Sequence, residues 1–145
     1  MTQDCTLCEE APEGLIWENA QVQVLNALDQ DYPAYTRVVW KAHQKEMTDL
    51  SPEEQQQLMQ VVFTVERVQR DIFKPLKVNL AELGNYVPHL HWHIIPRFEN
   101  DRHYPNPIWA MPQENNPIKT MELINQHNDL LEDYERALRA ALDAL

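Results

Sequence analysis

The chain has 145 residues, and 12 lysines and arginines stand against 23 aspartates and glutamates, which gives a net charge of −11. This length is typical of one domain, and a hydrophobic fraction of 43% is enough to form a core. The acidic balance argues against binding to nucleic acid or to an anionic membrane surface. Aliphatic and aromatic runs reach only three residues, as at 61–63, so no segment is long enough to span a bilayer.

Several functional classes are excluded by what the sequence lacks. Met1–Asp4 has neither the basic nor the apolar part of a signal peptide, so we expect a cytoplasmic protein. The only glycines, Gly14 and Gly84, cannot form a Walker loop or a G-x-G-x-x-G turn. The only serine, Ser51, does not lie in a G-x-S-x-G elbow. Catalysis must therefore use His, Cys, Asp, Glu, Lys or Tyr.

The pattern of apolar residues predicts three short strands at 15–17, 22–25 and 35–40, followed by a helix. Ser51 and Glu54 form a capping box at the start of that helix, Pro52 fits its first position, and Pro75 ends it. Two more strands are predicted at 77–81 and 89–96. The order of elements predicts an α+β fold, an antiparallel sheet of about five strands with one long helix and a C-terminal helix.

The whole chain, 1–145, is predicted to be a single domain. Five of the ten prolines fall between Pro96 and Pro117, so a proline-rich loop is predicted at 97–119. A C-terminal helix is predicted at 120–145, where Tyr134 belongs to an apolar stripe that forms core or a dimer interface. We expect His103 and His127 to be exposed on the loop and the helix.

Three of the six histidines occupy alternate positions of one predicted strand. Because side chains alternate between the faces of a strand, His89, His91 and His93 project from one face, about 6.5–7 Å apart, and the apolar residues between them enter the core. Two chemistries fit such a row. Two of the histidines could chelate a catalytic metal together with a third ligand, or one neutral imidazole could attack phosphorus while a neighbour protonates the leaving oxygen.

Cys5 and Cys8 form a C-x-x-C pair. A structural disulfide is not expected in a cytosolic chain. The segment that follows is acidic and forms helix poorly, which argues against a thioredoxin-type pair. Zinc bound by two thiolates and two nitrogens is the better alternative.

Three other polar residues are candidate substrate contacts. Arg97 would attract phosphate or form a surface salt bridge, and Asn79 would contact substrate or merely end a strand. Asn26, directly after the second predicted strand, is the third candidate.

The segment His89–Ile95 resembles the signature of the histidine triad proteins, His-φ-His-φ-His-φ-φ with φ apolar, at all seven positions. Residues 96–97 match a common continuation in bacterial members. Residues 41–43, 50–54 and 84–87 are similar to flanking parts of the family, and the resemblance covers roughly residues 5–97.

The resemblance implies a hydrolase or transferase that acts at the α-phosphate of a nucleotide. By position, His91 would be the nucleophile that forms a nucleotidyl-imidazole intermediate, His93 would contact the α-phosphate and help to protonate the leaving group, and His89 would help to build the site. Transferase branches carry Gln at the third histidine, so His93 favours hydrolysis. The resemblance implies substrates of the diadenosine polyphosphate or nucleoside phosphoramidate type, and Asn26 lies where it implies a ribose-binding residue. The phosphate-contacting Gln and Ser of the family are Asn85 and Tyr86 here. Asn85 keeps an amide donor, whereas Tyr86 changes the pocket.

The resemblance also bears on the cysteines, since some bacterial members bind zinc with this pair and two histidines. The matching ligands here are Cys5, Cys8, His43 and His89. Such a zinc would be structural, would pin an N-terminal loop over 1–14 to the sheet, and would not be required for the chemistry.

Two other functions compete with nucleotide hydrolysis: a nucleotide-binding or scaffold protein with little turnover, and a metal-dependent hydrolase that uses the histidine cluster. Family members are usually homodimers, and the predicted helix Pro52–Phe73 carries Met59 and Phe63 off its main apolar stripe. A partner chain would bury both, unless the proline-rich loop or the C-terminal helix does so. Trp109 would cover an apolar patch or the partner's site.

Overall fold

The computed structural model describes residues 5–145. The expected absence of a leader at Met1–Asp4, and the first four residues of the predicted loop 1–14, therefore lie outside the described residues. The described part contains five strands and two long helices: β1 (Leu15–Glu18), β2 (Val22–Asn26), β3 (Thr36–Trp40), α1 (Pro52–Phe73), β4 (Lys77–Glu82), β5 (His91–Arg97) and α2 (Pro117–Asp143). Single 3-10 turns at Thr6–Cys8 and Met47–Asp49 precede β1 and α1.

The strands form one antiparallel sheet in the order β1-β2-β3-β5-β4. β3 and β5 are therefore neighbours, although α1 and β4 separate them in sequence. In their register Arg37 lies opposite His93, and Val39 lies opposite His91. The predicted α+β class, with about five antiparallel strands, one long helix and a C-terminal helix, is confirmed.

Both helices pack against the sheet and against each other, and α1 contacts both β3 and β5. The core includes Val38 of β3 and Ile94 of β5, which are fully buried. Because successive side chains of a strand point to opposite faces, Arg37 and His93 lie on the face away from this core. The helices therefore cover one face of the sheet, and the other face carries the polar side chains.

The start of α1 is determined locally. The Ser51 hydroxyl accepts a hydrogen bond from the Glu54 backbone N–H at 3.2 Å, and the Glu54 carboxylate accepts one from the Ser51 backbone N–H at 2.8 Å. These two bonds satisfy donors that a helix N-terminus leaves free.

Neither α1 nor α2, nor any other helix within residues 5–145, is long and apolar enough to cross a bilayer.

Two elements start more than one residue away from their predicted first residue. The C-terminal helix begins at Pro117 rather than at residue 120, because Asn116 caps it by accepting from the Lys119 backbone N–H at 3.1 Å. β5 begins at His91 rather than at His89. The His89 N–H donates to the Val87 carbonyl at 2.8 Å, so this residue closes a turn and does not join the sheet.

His127 is not exposed as predicted; only 7% of its surface is accessible. Its ring lies between Phe73 and Phe98, with centroid distances of 5.1 and 4.4 Å. Tyr134, seven residues further along α2, is completely buried in the chain's own core. The prediction for His127 was wrong because this residue belongs to the apolar face of α2, which packs on α1.

Candidate active site

His91 and His93 line a cavity of about 450 Å³ on the face of the sheet opposite the helices. The other walls are formed by Arg37, Trp109, residues 6–7 and residues 83–87. The two imidazole centroids are 4.8 Å apart, closer than the predicted spacing, because the rings tilt into an edge-to-face arrangement at 74°. The Trp109 ring lies 5.4 Å from the His93 ring.

The environment of His91 determines which of its nitrogens carries the proton. Nδ1 lies 2.5 Å from the backbone carbonyl oxygen of His89. A carbonyl only accepts hydrogen bonds, so Nδ1 is protonated and Nε2 keeps its lone pair. Burial, and to a smaller extent the charge of Arg37, hold the pKa of His91 below its usual 6.5. The imidazole is therefore neutral at pH 7 and presents an unprotonated nitrogen, as a nucleophile requires.

The neighbouring His93 is held by the hydroxyl of Tyr35, which contacts its Nδ1. Burial, with the nearby His91 and Arg37, lowers the pKa of His93 to about 4. Burial also raises the pKa of Tyr35, so its hydroxyl stays protonated at neutral pH. When this hydroxyl donates to Nδ1, the proton of the neutral His93 ring is on Nε2, where it can be donated to a bound ligand.

The first histidine of the row does not share the cavity with the other two. His89 is completely buried, and its Nε2 lies 2.6 Å from the carbonyl oxygen of Trp40. Because that carbonyl can only accept, Nε2 carries the proton and Nδ1 is free to bind a cation. Nδ1 lies 3.3 Å from the Cys5 sulfur, 3.5 Å from the Cys8 sulfur and 3.1 Å from Nδ1 of His43.

The ligand atoms of Cys5, Cys8, His43 and His89 all lie within 4.8 Å of one another. Around a tetrahedral zinc ion, with Zn–S bonds of about 2.3 Å and Zn–N bonds of about 2.0–2.1 Å, ligand atoms are about 3.3–3.8 Å apart. Nδ1 of His89 lies 3.1–3.5 Å from the other three ligand atoms, close to that spacing. The Trp40 carbonyl is placed as the outer hydrogen-bond acceptor that histidine ligands of metals normally have. These four residues, which the sequence singled out, lie close enough together to hold a metal ion.

Asn85 and Tyr86 both line the cavity that contains His91 and His93. The Tyr86 side chain is fully exposed, at 101% of its reference area. The Tyr86 ring therefore lies at the rim of the cavity and does not fill the space in front of His91 and His93.

The structure corrects the predicted substrate contacts of Arg97 and Asn79. Arg97 is 2% exposed, and its guanidinium forms an ion pair with Asp101 at 2.9 and 3.1 Å. It also donates to the Asn79 side chain at 2.9 Å and to the Asn106 carbonyl at 2.7 Å. Although burial alone would raise the pKa of Asp101, the Arg97 hydrogen bonds hold it below its usual range. The ion pair is buried rather than superficial, and it fastens the start of the proline-rich loop to β4.

His103 belongs to the same buried network and is not exposed as predicted. It is 7% exposed, and its Nδ1 lies 2.6 Å from the Tyr32 hydroxyl, which also donates to Asp101 at 3.2 Å. The sequence of the loop does not indicate that His103 is buried, because its partner Tyr32 lies 71 residues earlier in the chain.

Asn26 also has a structural environment. Its side chain donates to the Pro33 carbonyl at 3.3 Å and accepts from the Leu28 N–H at 2.7 Å, so it holds the turn between β2 and β3. Within residues 5–145, Asn26, Asn79 and Arg97 are not among the residues that line the cavity.

Two residues of the site, Tyr35 and Arg37, were not predicted from the sequence. Tyr35 directly precedes β3, and Arg37 lies within it. The pairing of β3 with β5 brings both residues beside His93. The sequence offered one indication for Arg37, which is the only charged residue of the predicted strand 35–40. Its role became visible only once β5 was known to be the neighbouring strand.

Comparison with known proteins shows which family and which solved structures this chain is similar to. Residues 8–100 match the family model described as HIT domain. A Bacillus subtilis (strain 168) protein named Protein hit is 27% identical over 105 residues, covering 66% of this chain and 72% of that protein. The crystal structure of a histidine triad protein from Bradyrhizobium japonicum is 32% identical, with a TM-score of 0.62 over 79% of this chain and 87% of that one. A histidine triad protein from Marinobacter aquaeolei VT8 is 28% identical, with a TM-score of 0.62 over 83% and 89%.

Proposed function

Because this chain belongs to the HIT domain family, we propose that it is a nucleotide hydrolase that cleaves a P–O or P–N bond at the α-phosphate through a covalent nucleotidyl-histidine intermediate. One observation carries the proposal: the His89 carbonyl oxygen, 2.5 Å from Nδ1 of His91, directs the free Nε2 lone pair of a neutral imidazole toward a cavity. The substrates would be small nucleotides of the diadenosine polyphosphate or nucleoside phosphoramidate type.

In the first step Nε2 of His91 attacks the α-phosphorus and forms a P–N bond, while the bond to the leaving group breaks. The leaving atom takes a proton that His93 helps to deliver from Nε2. The Tyr35 hydroxyl contacts Nδ1 of the same ring and orients it. In the second step water attacks the same phosphorus and loses a proton to His93, which replaces the one delivered to the leaving atom. The P–N bond to His91 breaks, and a nucleoside monophosphate leaves. The net reaction consumes one water molecule and restores the neutral imidazole.

We further propose that Cys5, Cys8, His43 and His89 hold a structural zinc ion. The two sulfur and two nitrogen donors are the set that zinc prefers in such sites. Burial and the adjacent Cys5 thiol raise the pKa of Cys8, so zinc binding would release protons from the pair. When bound, the ion would supply cross-links between the N-terminal turn and the segments around His43 and His89, while His91 and His93 bind substrate.

The contacts within residues 5–145 disfavour the metal-dependent alternative. The side chains that can jointly ligate a metal do not include His91 or His93. Nδ1 of each of these histidines is engaged, by the His89 carbonyl and by the Tyr35 hydroxyl. A nucleotide-binding protein with little turnover would keep the same cavity, so turnover itself must be measured.

The test is to incubate the wild-type protein with diadenosine tetraphosphate and adenosine phosphoramidate, with product assay and mass spectrometry of samples quenched in alkaline denaturant, because the P–N bond of the adduct is labile in acid. We expect hydrolysis, and an adenylyl adduct on the peptide that contains His91. His91→Ala should remove both while melting like the wild type, because the ring lines a cavity and does not fill the core. Adenosine monophosphate (AMP) binding without hydrolysis would favour the scaffold function, and hydrolysis by His91→Ala would refute the nucleophile.

A further inference from the structure

Arg37 stands at the centre of the sheet beside the two histidines of the cavity. Its backbone lies opposite His93 in the pairing of β3 with β5, and its side chain lines the same cavity as His91 and His93. The neighbouring β3 residues Thr36 and Val38 are buried in the core on the other face. The strand therefore directs a single cation toward the space in front of the proposed nucleophile.

The guanidinium is incompletely satisfied by the protein. Nε of Arg37 is buried and has no hydrogen-bond partner in the described part of the chain. In residues 5–145 Arg37 forms no ion pair with a carboxylate. The guanidinium carbon lies 5.5 Å from the centroid of the Tyr35 ring, and the guanidinium also interacts with the Tyr35 hydroxyl. Buried donors without partners are uncommon in proteins, and the guanidinium that carries this one lines the cavity, where its other N–H donors would meet a ligand.

The charge of the cavity points to the kind of ligand. No Asp or Glu is found among the residues that line it within 5–145, although the chain as a whole has a net charge of −11. Among these lining residues, Arg37 contributes the fixed positive charge. A concave site with one cation and no anion favours a negatively charged group.

We propose that Arg37 binds the non-bridging oxygens of the substrate's α-phosphate. The inference rests on the proposed function, since it places the phosphate in front of His91, and it adds a phosphate-binding residue that lies outside the histidine triad motif. The planar fork of a guanidinium matches two phosphate oxygens, and charge-assisted hydrogen bonds are stronger than neutral ones. Negative charge on these oxygens is present in the bound substrate and persists as phosphorus is attacked, so Arg37 would aid both binding and reaction.

The experiment measures binding without turnover, by titration calorimetry with two probes that differ only in the phosphate, AMP and adenosine. For the wild type we expect tighter binding of AMP than of adenosine. For Arg37→Gln we expect AMP affinity to fall about 10- to 100-fold while adenosine affinity stays within about twofold. Arg37→Lys keeps the positive charge but loses the planar guanidinium, so its AMP affinity should lie between those of the wild type and Arg37→Gln. Arg136→Gln removes an equal charge from the exposed surface of α2 and should leave both affinities unchanged.

Thermal melting of each variant checks the fold, and the salt dependence of wild-type AMP binding provides a measurement that needs no variant. If Arg37 only supports Tyr35, AMP and adenosine affinities will fall together, and the proposal is overturned. It is equally overturned if the wild type binds AMP no better than adenosine, or if Arg37→Gln keeps the wild-type preference. The hydrolysis assay and the mass spectrometry of the His91 adduct test the proposed function separately, because AMP binding requires neither turnover nor an adduct.

Discussion

The backbone carbonyl of His89 accepts a hydrogen bond from Nδ1 of His91 at 2.5 Å, while the His89 side chain faces Cys5, Cys8 and His43. One residue therefore belongs to both sites: its side chain completes the four-donor cluster, and its carbonyl determines the tautomer of the proposed nucleophile. Disturbing the cluster is expected to disturb His91 through this single shared residue.

The first prediction concerns metal. Purified untagged protein should contain about one zinc ion per chain by elemental analysis, and Cys8→Ser should lose it and melt at a lower temperature, since one of four ligands is gone. Activity should fall as well, because His89 would no longer be held in place. Thr6→Ala is the control for zinc content and melting temperature, since Thr6 is exposed in the same turn and offers no metal ligand. Protein without zinc, whose melting temperature a chelator does not change, would contradict the prediction.

The second prediction concerns the Tyr35 hydroxyl. Tyr35→Phe should lower kcat about tenfold with little change in KM, because His93 loses the group that orients it. NMR of the His93 ring nitrogens should show a mixture of tautomers in the variant. Tyr32→Phe is a matched control, since Tyr32 makes the same type of contact with His103 in the buried Arg97 network. It should reduce stability and leave kcat per folded molecule unchanged; an equal loss of kcat in both variants would contradict the role of Tyr35.

The third prediction is a pH dependence of stability. Burial lowers the pKa of His127 to about 4 from a usual value of 6.5. As pH falls from 6.5 toward 4 the unfolded chain therefore binds a proton at His127 that the folded chain does not bind. Its contribution to stability is fully present above pH 6.5 and is lost through this window, by up to about 1.4 kcal/mol per pH unit.

His127→Leu keeps an apolar side chain between Phe73 and Phe98 and removes the titration. The free energy of unfolding, measured with urea at pH 7 and pH 5, should fall less in this variant than in the wild type. The other buried histidines titrate in both proteins, so the difference isolates His127. Equal losses in the two proteins would show that His127 does not contribute.

The fourth prediction is a homodimer that buries Phe63. Met59, its predicted companion, packs partly buried on the chain's own core, whereas Phe63 remains 47% exposed on α1. Light scattering should give the mass of two chains for the wild type and of one chain for Phe63→Asp. Gln126→Asp places the same charge on an exposed position of α2 and should stay dimeric. A wild-type protein with the mass of one chain at micromolar concentration would refute the dimer.

Much of the architecture could be predicted because its causes are local. The Ser51–Glu54 capping box, the helical spacing of α1 and the alternation along 89–95 each depend on residues within a few positions of one another. His127 was missed although its signal was present, since it lies three residues after Ile124 and seven before Tyr134 on one helical face. A histidine in such a stripe is as readily buried as its apolar neighbours when no charge is required of it.

By itself, the sequence determined the fold class and the grouping of four side chains that could hold a metal ion, because short-range periodicity indicates the first and resemblance to a family indicates the second. Only the tertiary structure decided that His89 leaves the row of histidines, that Arg97 is bound to Asp101, and that Arg37 stands beside His93. The physical reason is strand order. β3 and β5 are paired across an interval that contains α1 and β4, so the contacts of their side chains depend on how the sheet assembles and not on the residues next to them in the chain.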